Sequence, residues 1–103
     1  MENDYILKIS EIAYEDLDGY TKYISENLSN PQAAQKIVTD IENALENIKI
    51  FPFSCSLIEN NLVKKDGVRK LVVNKFIVFY KVEDNFVKVI RIMHSTRNYQ
   101  DII

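Results

Sequence analysis

Residues 68–94 read VRKLVVNKFIVFYKVEDNFVKVIRIMH. Three runs rich in Val, Ile, Phe and Tyr, at 68–73, 76–82 and 86–94, are separated by NK and EDN. Aromatic and β-branched runs with hairpin-sized, turn-forming connections predict three consecutive antiparallel strands. Alternation places Arg69, Leu71 and Val73 on one side of the first run, and Ile77, Phe79 and Lys81 together on the second. The third run is apolar on both sides. Val87, Val89, Arg91 and Met93 form one set; Phe86, Lys88, Ile90, Ile92 and His94 form the other. A strand buried on both faces belongs in the middle of a sheet. Something then covers the second face, either the chain's own C-terminus or a partner.

Upstream, the periodicity changes from two to helical. Residues 11–28, EIAYEDLDGYTKYISENL, set Ala13, Leu17, Tyr20 and Ile24 on one stripe, with Glu11, Glu15 and Asp16 in the first turns, where the helix dipole favours acids. SNPQAAQ restarts a helix. Asn30 caps it, and Pro31 suits the first position because its missing N–H would be unpaired there. Ala34, Ile37, Ile41, Ala44 or Leu45, and Ile48 continue the stripe to about residue 50, where Phe51 before Pro52 ends it. DYILKIS (4–10) reads as a first short strand closed by Ser10.

The predicted order is therefore β-α-α-β-β-β, with a short helix from about residue 97. It is an α+β fold: an antiparallel sheet with a helical hairpin packed on one face, in a single domain spanning 1–103. A chain of 103 residues is long enough to bury a core unaided. Residues 54–67 form the longest irregular stretch, and long loops in compact domains are often functional.

The single cysteine, Cys55, excludes an internal disulfide and a cysteine-based metal site. No apolar run is long enough to span a bilayer. The acidic opening MENDYILKIS reads as no signal peptide, so a reducing cytoplasmic setting is expected. No phosphate-binding glycine loop or dinucleotide turn is present. Residues 1–61 carry four Lys against eleven acids, whereas residues 62–103 carry nine Lys and Arg against four acids. That asymmetry suits an anionic partner on one side of the molecule or a solvated surface.

The candidate chemistry gathers at the end of the last strand, IRIMHSTRNY. His94 is the only histidine. Beside Arg91, Arg97 and Tyr99 it is suited to acid–base work on a phosphodiester, with an Arg stabilising developing charge. The plainer alternative is a histidine that caps the strand. Arg69 and Lys70, with Lys64 and Lys65, form a basic cluster that suits phosphates or solvent equally. Zinc at His94 has no second histidine to share it.

NPQAAQKIVTDIENALENIKIFP, RKLVVNKFIVFYKV and IRIMHSTRNY resemble the RelE/ParE superfamily of bacterial type II toxins along nearly the whole chain. The resemblance implies a small growth-inhibiting toxin of the plasmid-stabilization kind. It implies a cognate antitoxin that wraps the toxin in a hetero-oligomer, and no metal or other cofactor. RelE-like members cut messenger RNA on the ribosome; ParE-like members inhibit DNA gyrase. If this chain is a nuclease, the resemblance implies His94, Arg97 and Tyr99 as catalytic residues. Arg69, Lys70, Ile77, Phe79 and Arg91 are the expected target- or antitoxin-binding surface, with acidic antitoxin residues meeting Arg69, Lys70 and Arg97. Ribonucleolytic relatives carry an Arg at the second position of the strand run where this chain has Ile77, and a lysine pair that maps onto Arg69 and Leu71. The sequence pI near 5.4 also departs from basic ribosome-directed nucleases. These departures favour the ParE-like side, with a RelE-like endoribonuclease as the alternative.

Overall fold

The computed structural model describes residues 5–58 and 67–96. The element order is β1 (Ile6–Ile9), α1 (Glu11–Lys22), α2 (Pro31–Ile50), β2 (Arg69–Val73), β3 (Phe76–Glu83) and β4 (Phe86–His94). Arg97, Tyr99, Lys64, Lys65 and the short helix expected from residue 97 lie outside the described residues.

Each helix begins at a side-chain cap, Asn30 as expected for the second and Ser10, read as closing β1, for the first. The Ser10 hydroxyl accepts from the Ala13 N–H at 3.0 Å, and Asn30 Oδ1 accepts from the Ala33 N–H at 3.1 Å. α1 runs on as a wide π-type turn over Tyr23–Asn27, and the Leu28 N–H reaches back five residues to the Tyr23 carbonyl at 3.3 Å. Ser29, with φ of 51°, reverses the chain into α2. The two hairpin turns are Asn74–Lys75 and Asp84–Asn85. Asn74 and Asp84 both take φ of 55°, a left-handed conformation that Asn and Asp tolerate better than other non-glycine residues.

The sheet order is β1-β4-β3-β2. β2–β3 and β3–β4 are antiparallel hairpins. β1 pairs with β4, and the helical crossover makes that pairing parallel. β4 is thus central, as its two apolar faces require.

Two apolar layers flank the sheet. On the helix side, Ile41, Leu45 and Ile48 of α2 and Ala13 of α1 pack on Phe76, Val78, Tyr80, Val87, Val89 and Ile92. On the far side, Ile77, Phe79 and Met93 are buried with Val68 and with Ile58 from the segment after α2. That segment follows the outer edge of β2: the Ile58 N–H donates to the Val68 carbonyl and the Lys70 N–H to the Ser56 carbonyl. The far face is therefore covered in part by the chain itself.

Strict alternation along β4 fails at one point. Phe79 pairs with Arg91 but Tyr80 with Val89, so Ile90 is an extra, bulged residue. Val87, Val89 and Ile92 consequently share the helix side, while Ile90 and Met93 face the other way. Neither alternating set read from the sequence survives intact, because a bulge shifts the period by one residue.

Candidate functional site

β1 is four residues long and covers only the first half of the β4 edge. From Ile90 onward, side chains of α1 and its cap occupy that edge instead. Ser10 Oγ donates to the Ile90 carbonyl at 2.8 Å, the Ile92 N–H donates to Asp16 Oδ2 at 3.0 Å, and the His94 N–H donates to the Tyr20 hydroxyl at 3.1 Å. Outward-facing groups at 90, 92 and 94 are met by residues 10, 16 and 20, so α1 satisfies backbone that a longer β1 would have paired.

Asp16 also holds Arg91. The guanidinium donates from Nε and Nη2 to the two carboxylate oxygens, each at 2.8 Å. The side chains are only 19% and 13% exposed. The Asp16 hydrogen bonds raise the Arg91 pKa further above its already high ordinary value. Arg91 directly follows the bulged Ile90, stays in register with Phe79 and reaches Asp16 of α1.

His94 stands at the rim where β4 ends. Its ring lies edge-on to Phe76, with centroids 5.4 Å apart, and tilted to Tyr20 at 6.4 Å. Nδ1 is 2.8 Å from the Thr96 hydroxyl and accepts from the Thr96 N–H at 3.3 Å. A backbone N–H only donates, so Nδ1 is the acceptor and the proton of the neutral ring sits on Nε2. His94 opens on a mainly apolar groove of about 880 Å³ whose walls include Asp16, Tyr20, Tyr23, Lys75 and Phe76.

The remaining expected residues divide between the two faces. Arg69 shares the helix side with Leu71 and Val73. Its Nη1 donates to the Cys55 carbonyl at 2.6 Å and its guanidinium lies 5.0 Å from the Phe53 ring. Beside it, Tyr80 is fully buried and its hydroxyl donates to the Pro52 carbonyl at 2.8 Å. Burial pushes the Tyr80 phenol well above its ordinary pKa. Lys70 is exposed and stands opposite Phe79 on the far face. Ile77 is 7% exposed, within the far-side cluster. The site residues that are described thus lie in four places: His94 at the groove, Arg91 against α1, Arg69 beside the turn after α2, and Lys70, Ile77 and Phe79 on the far face. Sequence reading took Asp16 as a dipole complement and Tyr20 as core, and missed that both bind β4. Their spacing of four along α1, facing alternate residues of a central strand, was the available signal.

The sequence profile of the ParE toxin of the type II toxin–antitoxin system parDE matches residues 7–99. The chain belongs to the ParE toxin family. No curated protein matches it at the sequence level. Solved structures that share its fold include two toxin–antitoxin systems. The chromosomal ParDE toxin–antitoxin system of P. aeruginosa superposes with a TM-score of 0.73 at 22% identity, covering 89% of this chain and 97% of that one. The toxin–antitoxin complex RelBE2 of Mycobacterium tuberculosis superposes with a TM-score of 0.62 at 17% identity, covering 88% and 98%. Among the described residues, no helix of this ParE toxin is long and apolar enough to cross a membrane.

Proposed function

We propose that this ParE-family chain is a cytoplasmic growth inhibitor that acts by docking on DNA gyrase and is neutralised by a cognate antitoxin in a hetero-oligomeric complex. The observation that carries the choice of a docking toxin over an RNA-cutting one is the placement of Arg91 and Ile77. A nuclease that stabilises phosphate charge needs cations converging on one point of an accessible face. Arg91 is neutralised by Asp16 against α1. Ile77, where ribonucleolytic relatives carry an Arg, is buried among apolar neighbours. Arg69 is directed to the Cys55 carbonyl, away from His94.

On this reading His94 and the groove beneath it are contact surface rather than acid–base machinery, and Lys70 supplies rim charge. Titrating the purified toxin into a gyrase supercoiling assay is the direct test. Inhibition that is relieved by stoichiometric antitoxin is expected. Undisturbed supercoiling at a large excess of toxin would remove gyrase as the target.

A further inference from the structure

On the far face of the sheet, at the end away from His94, three lysines lie side by side. Lys8 of β1 is paired in register with Lys88 of β4, and Lys88 with Lys81 of β3. Leu7, Ile9, Val87, Val89, Tyr80 and Val82 on either side of them all pack toward the helices, so the lysines point the other way. Like charges directly opposite one another across strands destabilise a sheet. Glu83 is the one carboxylate paired with the row among the described residues, 2.7 Å from Lys88 Nζ and 3.5 Å from Lys81 Nζ. Lys8 instead lays its ammonium over the Phe86 ring, 4.3 Å from the centroid. One step along the strands on the same face, Ile6 is paired with Phe86, and Ile6 is 49% exposed. A basic row therefore borders an apolar one, with more positive charge than Glu83 neutralises.

We infer that this row docks an acidic amphipathic helix of the antitoxin, laid across the strands with carboxylates over Lys8, Lys88 and Lys81 and an apolar edge on Ile6 and Phe86. The inference rests on the toxin–antitoxin reading above and adds to it the chemistry of one contact. The pitch of the row selects the partner's shape. Neighbouring strands are about 4.8 Å apart, so the row spans about 10 Å. Helical residues at i, i+4 and i+7 advance about 10.5 Å and lie on one face. An extended strand presents same-side residues about 6.8 Å apart and overshoots the third lysine. Phosphates along one strand of a duplex rise about 3.4 Å each along the helix axis while winding around it, so successive charges turn away from a flat row. A second copy of this chain does carry exposed acids at suitable spacing, Glu11, Glu15 and Asp18 of α1. Those acids lie on the helix side, so two copies would not satisfy each other's rows and could assemble only head to tail, as a ring or a filament.

The test is titration of the full-length antitoxin from the neighbouring reading frame into the wild-type toxin and into two triple variants, at low and high salt. The variants are Lys8→Gln/Lys81→Gln/Lys88→Gln and the same positions changed to Arg. Removing mutually repelling charges leaves the fold intact, which thermal unfolding of each variant checks. The Gln variant is expected to bind about tenfold more weakly or worse, with a shallower salt dependence, while the Arg variant stays within about threefold. A Gln variant that binds within about twofold of wild type, with the wild-type salt dependence, overturns the inference and leaves the toxin–antitoxin reading standing. Wild-type toxin that binds no antitoxin overturns both. Parallel titration with a single-stranded RNA and sedimentation of the toxin alone cover the other occupants. Gln-sensitive RNA binding or Gln-sensitive self-association, with antitoxin affinity unchanged, assigns the row elsewhere and overturns the inference.

Discussion

Replacing Asp16 by Ala separates a structural Arg91 from a target-reading one. The carboxylate accepts three hydrogen bonds, two from Arg91 at 2.8 Å and one from the Ile92 N–H at 3.0 Å. The substitution leaves a guanidinium that is about four-fifths buried without its counter-charge, and a backbone N–H of the central strand without its acceptor. Breaking a buried pair from one side costs about 3–5 kcal/mol. The guanidinium is 19% exposed and can turn toward water, so the lower end, about 3 kcal/mol, applies. For a domain of this size that is a fall in Tm of about 12 °C or more. Removing both partners, in Asp16→Ala with Arg91→Met, recovers part of the loss because no orphan charge remains. A coupling of about 1.5–2 kcal/mol is expected from the cycle. Urea unfolding followed by circular dichroism measures all four proteins. An Asp16→Ala cost below about 1 kcal/mol, the range of an exposed pair, would refute the reasoning and return Arg91 to the candidate binding surface.

Changing Ile77 to Arg, the residue of ribonucleolytic relatives, puts a charge into the cluster of Phe79, Met93, Val68 and Ile58 and should cost about 3 kcal/mol or more in urea unfolding. Leu45→Ala, on the buried stripe of α2, should cost about 2–5 kcal/mol in the same assay, whereas Glu42→Ala on its exposed face should stay within about 0.5 kcal/mol. Tyr80→Phe leaves the Pro52 carbonyl without its donor and should cost about 1–2 kcal/mol near neutral pH. Because the folded protein holds the Tyr80 proton more tightly than the unfolded chain, this contribution is complete below the ordinary phenol pKa of 10.0 and is lost progressively as pH rises from there through the higher pKa of the folded state. Thermal unfolding between about pH 8 and 11 should therefore show a steeper alkaline loss for wild type than for Tyr80→Phe.

The elements themselves were legible because local signals agreed with one another. Asn30 caps the second helix and Pro31 opens it, and β-branched runs alternate with Asn- and Asp-containing turns, so the expected order matches the observed one across the described residues. β4's central place followed from its lack of a polar face. The partner of β1 did not follow, since pairing across the helical hairpin is a long-range choice that no local pattern encodes. The bulge was equally hidden: Val89-Ile90-Arg91-Ile92 offers two equivalent apolar registers, and only packing against α1 decides between them.

Site residues were less legible for the same reason. Residue type announced His94, Arg91 and Arg69 as candidates, but what each does depends on its partner. Arg91 meets Asp16, 75 residues away, and Arg69 the Cys55 carbonyl, 14 away, while His94 meets the Thr96 hydroxyl only two residues on. The in-register lysines at 8, 81 and 88 come from strands remote in sequence, and their alignment exists only once β1 is set beside β4.

The central claim, a ParE-family toxin that arrests growth at gyrase, is tested most directly by inducing the chain in a bacterial host without its antitoxin and mapping messenger RNA 5′ ends across the transcriptome. The account predicts filamentation and a DNA-damage response with intact messages. Cuts phased to codons, abolished by His94→Ala, would contradict it and make the chain a ribosome-dependent nuclease.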